Sequence, residues 1–462
     1  MSDLPFGFGP PGEDPERSEG GRRDRPPGAG GGAGGGAGGG AGGGTGGAGG
    51  PFGDLFGRGA DLGALFTQLG RLLTHSGEGP VNWDLAHDVA RQVVAAGTDR
   101  SVSGAEAAAV ADALRLAEVW LDAATALPAA GSRPEAWSRA EWVEATLPAW
   151  RELCEPVAAR VVEASTAMLP AELAQLAGPL HEMVRQLGGA MFGGQVGQGV
   201  GALAGEVLTA SDVGVPLVAP GRTALLPANV AAFGEGLGLA AAEVRLFLAL
   251  REAAHQRLFA HAPWLAAHLR AAIADYARGI TVDTARLEEA LGGLDPSRPE
   301  ALAEAQQALA GGLLTPEDSP AQQAALARLE TALALVEGWV DTVVAAAAAP
   351  HLPAVGALRE SLRRRRAAGG PAEHTFATLV GLQLRPRRLR EAARLWEALA
   401  AERGLAGRDA VWDHPDLLPD GADLAEPQAY LRRDERWDLS SLPDADPGQQ
   451  EAGPEPDPGP DR

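Results

Sequence analysis

The sequence predicts a mainly α fold with many helices and a minor β hairpin or small sheet. Apolar residues recur at i, i+3 and i+4 through most of the interior, which is the helical period. Strand-like segments are few. The chain is 45% hydrophobic but only 5% aromatic, so its core must be built mostly from Ala, Leu and Val.

The first helix reads from Asn82 to Ala95. Trp83, Leu85, Ala86, Val89, Ala90, Val93 and Val94 form its apolar side, and Asn82 or Asp84 is the cap. Glu106 to Leu121 and Pro148 to Met168 have the same character. Helical runs resume at Val230 to Ala277, Pro299 to Ala310, Ala321 to Ala349 and Ala377 to Arg403. The best strand candidate is Val213 to Val218, followed by a Pro220-Gly221 turn and Thr223 to Leu226, which reads as a short hairpin. Ahead of it, Gly193, Gly197, Gly201 and Gly205 fall every fourth residue on one helix face. Glycine there lets another helix approach closely.

The 462 residues suffice for one large domain or two ordinary ones. Residues 1–52 are dominated by Gly, Ala, Pro and charge, and are expected to be disordered. Residues 53–440 form the helical domain, and 441–462 an acidic, Pro-rich disordered tail. The net charge of -22 argues against nucleic-acid binding, which needs a basic face. No uninterrupted apolar run reaches the ~20 residues of a membrane span, so membrane insertion is not expected. The single cysteine, Cys154, forms no internal disulfide and reads as a small buried hydrophobe. A cytoplasmic location follows from these features.

The chemistry centres on Leu250 to Phe259. Arg251-Glu252-Ala253-Ala254-His255 has the spacing of His-Glu-x-x-His, with arginine at the first histidine position. Positions 251 and 255 lie one turn apart on one face. In a zinc-protease helix that spacing brings two imidazoles to one metal, and the glutamate between them polarises the water. Here His255 can ligate and Glu252 can act as base. Arg251 offers only donors. Downstream, Glu337 and Asp341 are also one turn apart, on a largely apolar helix where carboxylates need partners.

These segments, with Arg363 to Arg366, Gly369 to Glu373, Leu384 to Arg390 and Arg408 to Asp416, resemble an actinobacterial family of zincin-like metallopeptidases, type 2. The resemblance runs from about Pro80 to Pro427. It implies zinc, with His255 and Glu337 as ligands, Glu252 as general base and Asp341 as the carboxylate behind a ligand histidine.

Two functions follow. One is a zinc-metallopeptidase-like hydrolase that cleaves a peptide or protein substrate with metal-activated water. The other is a non-catalytic interaction protein that reuses the fold, with Arg251 replacing the metal charge in a bidentate pair with Asp341 or Glu337. Its partners would be proteins met through the arginine clusters or the tails. His261 is a candidate replacement ligand, and Tyr276, His351, His374 and His414 are candidate donors. The arginine runs 363–366 and 385–390 read either as ion-paired surface or as an anion site.

Overall fold

The structure is a computed structural model and describes residues 79–167, 177–219, 221–278, 319–367 and 388–434. Both tails, the run Pro299 to Ala310, His374 and residues 377–387 lie outside these.

Helix α1 spans Trp83–Ala96, and the Asn82 side chain accepts from Leu85 N at 3.0 Å as the expected cap. Helix α2, Gly104–Leu121, starts at a capping box between Ser103 and Glu106. Helix α3, Arg139–Ala167, begins well before Pro148, which is carried inside it. The start is fixed by Ser138 and Glu141, each accepting the other's backbone N–H. Cys154 on this helix is fully buried, and burial pushes its thiol up to about 12.

Helix α4, Ala177–Ala204, packs on α1 through its glycines. A Cβ at Gly197 would sit 2.5 Å from Ala86 O, and one at Gly201 would sit 2.7 Å from Val93 Cβ. The fourth glycine, Gly205, falls just past the helix, where its N–H bonds to Ala202 O.

The β element is a two-stranded parallel sheet, β1 (Arg133–Ala136) with β2 (Arg222–Leu225), in register from Arg133↔Arg222 to Ala136↔Leu225. The expected hairpin therefore does not form. Thr223 to Leu225 is a strand, but it pairs with a distant segment, as parallel strands require a long crossover. The stretch from Val213 is a turn-rich loop instead, and Thr209 alone bridges Leu225 in the antiparallel sense.

The helical stretch from Val230 to Ala277 comprises three helices: α5 (Pro227–Gly234), α6 (Ala241–His261) and α7 (Trp264–Arg278). Gly236 and Gly238 at positive φ break it first, and Pro263 breaks it again. Helix α8, Pro320–Ala348, opens with a Ser319–Gln322 capping box. Helix α9 spans Val355–Ala367. Helix α10, Leu389–Asp409, kinks at Gly404 (φ 70°). The short α11 (Gly421–Ala425) and α12 (Pro427–Asp434) follow.

Two helices are buried on all sides over their central turns, α8 as a largely apolar helix and α6 with a cluster of polar and charged side chains inside it. Residues Phe247 to Leu258 of α6 and Thr331 to Val344 of α8 are continuous core. Helix α8 packs on α6, α7 and α10, and a Cβ at its Gly338 would lie 2.7 Å from Ala392 Cβ. By length and composition α8 could cross a membrane, but 83% of that window is buried inside the protein. Trp396 stacks on Trp412, and Trp264 Nε1 donates to Trp412 O. Together they close the C-terminal turn against the helices.

Candidate functional site

Helices α6 and α8 cross with Arg251 and His255 facing Glu337. Arg251 Nη2 donates to Glu337 Oε2 at 2.6 Å, and both side chains are almost fully buried. His255 turns Nε2 to Glu337 Oε1 at 3.2 Å. Its Nδ1 lies 2.9 Å from the Arg251 carbonyl, which can only accept, so the proton on that side belongs to the ring. The ring nitrogen that a metal would need, Nε2, is thus turned onto Glu337.

A second guanidinium enters from α9. Arg366 Nη1 also donates to Glu337 Oε2, and its Nη2 donates to Asp212 O at 3.0 Å. Burial alone would raise the Glu337 carboxyl. Arg366, Arg251 and His255 outweigh it and hold the group well below its ordinary value.

Asp341, one turn along α8, is not on His255 and not on Arg251. Arg359 grips it in a fork, Nε to Oδ1 at 3.0 Å and Nη2 to Oδ2 at 2.7 Å, and Arg363 Nη2 adds a bond of 2.6 Å. The expected Arg251 pair thus exists with Glu337, through one nitrogen rather than a fork. The carboxylate expected behind a histidine serves α9 instead.

Glu252 is fully buried and faces the 205–218 loop. Its Oε2 accepts from Ser211 N at 3.0 Å, and its Oε1 from Gln256 Nε2 at 3.0 Å. Gln256 Nε2 also donates to Ser211 Oγ at 2.8 Å. Burial raises the Glu252 carboxyl, with His255 and the hydrogen bonds only partly opposing. These contacts tie the loop to α6.

The other candidates lie apart. His261 ends α6, exposed, with Nδ1 on Arg257 O at 2.8 Å. His351 stacks on Trp120 at 4.4 Å, and His414 accepts from Asp416 N. Tyr276 is core. Arg364 pairs with Glu360, and Arg388 Nη1 donates to Gly421 O at 2.6 Å.

Two participants carry no signal in the sequence, Ser211 and Gly214, while Arg366 belongs to the arginine run read as ion-paired or an anion site. Gly214 sits at φ +77°, where a Cβ would come within 2.9 Å of Glu337 Oε1. The loop backbone therefore closes the His255 side of the carboxylate. Gln256 did have a signal, because position i+4 from Glu252 shares its helix face.

Residues 81–431 match the family described as zincin-like metallopeptidase. The chain belongs to that family. In fold, this zincin-like protein is similar to a crystal structure from Chloroflexus aurantiacus described as a "putative hydrolase with a novel fold". The two share 21% identity and a TM-score of 0.54, over 77% of this chain and 99% of the other. No curated protein matches it.

Zinc is the metal the family implies, and the residues present do not fit it. Among the described residues no group of three or more His, Cys, Asp or Glu could hold a metal ion. His255 and Glu337 meet, but Glu337 already takes two guanidiniums and an imidazole, and Asp341 takes two more guanidiniums.

Proposed function

We propose that this zincin-like protein is a metal-independent, non-hydrolytic member of its family, an interaction protein built on a metallopeptidase scaffold. The observation that carries the reading is Arg251 on Glu337 at 2.6 Å, a guanidinium where the motif has a histidine. A guanidinium cannot ligate, and it neutralises the carboxylate that would. Glu252, the residue a peptidase would use as base, is engaged by Ser211 and Gln256 in a fully buried pocket. Proteins are the partners this reading calls for, met through surface arginines or the terminal segments. The strong acidity of the chain disfavours nucleic acid.

The contact of His255 with Glu337 supports one other reading, a peptide hydrolase using zinc-activated water. Elemental analysis of protein purified without added metal separates the two. The interaction reading expects zinc far below one equivalent, and no peptide cleavage that a chelator abolishes. Stoichiometric zinc that disappears in His255→Ala would overturn it.

A further inference from the structure

We infer that Arg366 and Arg251 together supply the double positive charge that a divalent metal would bring to Glu337, so that the site stays closed to metal until both guanidiniums are removed. The inference rests on the Arg251–Glu337 pairing of the proposed function and adds a second cation from a different helix. One guanidinium carries half the charge of a divalent ion. The other half comes from Arg366, which reaches the same oxygen, Glu337 Oε2.

Arg366 is held independently of Arg251. Its Nη2 bonds to Asp212 O at 3.0 Å and lies 3.6 Å from Asp212 Oδ1. Its helix is anchored by Arg359 and Arg363 on Asp341. Positions 359, 363 and 366 follow one face of α9, with spacings of four and three residues. Replacing Arg251 alone therefore leaves α9 docked and Arg366 on the carboxylate. On the other oxygen, Oε1, His255 Nε2 lies at 3.2 Å, and a Cβ at Gly214 would come within 2.9 Å. A dication arriving beside Arg251→His would meet a fixed like charge at the atom it must bind, in a buried setting that screens little.

Four full-length proteins test this: wild type, Arg251→His, Arg251→His/Arg366→Gln and Arg251→His/Arg366→Lys. Each is dialysed against zinc chloride, then against metal-free buffer, and analysed for zinc, with thermal midpoints recorded with and without zinc. The expected result is one retained equivalent in the Arg251→His/Arg366→Gln protein alone, with a midpoint that rises with zinc concentration. Retention of one equivalent by the single Arg251→His variant, or by the variant with lysine at 366, would overturn the inference. So would a Gln double variant that holds no zinc when folded, or that fails to fold both with and without zinc, because the metal would then not replace the lost charges. In those cases a zinc-free wild type leaves the proposed function standing. Zinc in the wild type would bring down both.

Discussion

Glu337→Gln removes the one negative charge that Arg251, Arg366 and His255 share while keeping the side chain's shape. Arg251 is 5% exposed and His255 1%, so water cannot take over as partner. Removing one member of a buried ion pair costs about 3–5 kcal/mol. Two guanidiniums lose their partner here, but Arg366 is 17% exposed and keeps Asp212, so the same range applies. Against a total stability of about 5–15 kcal/mol, that is a large share. Urea unfolding at pH 7, followed by far-UV circular dichroism, measures it. The pH dependence adds an independent check. Glu337 is held well below its ordinary value, because Arg366, Arg251 and the His255 contact outweigh burial. Its contribution is complete above the unfolded carboxyl value, about 4.3, and is lost as pH falls through the folded value. The gap between wild type and Glu337→Gln is thus widest at neutral pH and closes in acid. A loss under about 1 kcal/mol, the range of an exposed pair, would refute the reasoning, as would a gap that does not narrow.

Glu252→Gln is expected to be tolerated and to stabilise more at pH 8 than at pH 4. The folded carboxyl is raised by burial, so its favourable contribution is present below the unfolded value and lost as pH rises through the folded one. Denaturation midpoints at the two pH values decide this, and collapse of the variant at both would contradict it. Gly214→Ala should cost about 2 kcal/mol, from a left-handed backbone and a Cβ against Glu337 Oε1. Unchanged stability would show that the loop does not close the site. Gly197→Ala should cost about 1–3 kcal/mol by overpacking against Ala86 O and Val89, which are backbone and β-branched groups that yield little. Thermal melts of that variant beside Gly194→Ala, where nothing lies within 4 Å, isolate the effect of the helix contact.

The helices were legible because period and caps are local properties: Asn82 and the glycines Gly193, Gly197 and Gly201 of α4 act as their positions imply, while Gly205 lies past the helix end. The sheet was not, because β1 and β2 are four residues each and lie far apart in sequence. Nothing near Thr223 names Arg133 as the start of its partner strand. The meeting of Arg251, His255 and Glu337 was implied by the family resemblance, since one-turn spacings within two separate helices do not by themselves bring those helices together. The partner of Asp341 was not, although Arg359, Arg363 and Arg366 share a helix face and carry the signal. Ser211 and Gly214 belong to a loop whose course depends on Glu252 receiving it, so no local pattern marks them.

The same arrangement explains why a core helix as apolar as α8 tolerates two charges. Burying Glu337 and Asp341 is costly unless each is paired and hydrogen-bonded. Helix α9 supplies three of the four arginines that do so, and Arg251 the fourth. Helix α9 buries few side chains of its own among its described residues, chiefly Leu358 and Leu362. Its docking therefore depends on the carboxylates as much as they depend on it. A buried ion-pair network is a weak source of net stability but a strong source of specificity in position, because a half-made network is worse than none. The site thus fixes where α9 lies, and α9 fixes a cation on Glu337. Arginine at 251 is in this sense one half of an arrangement whose other half lies more than a hundred residues along the chain.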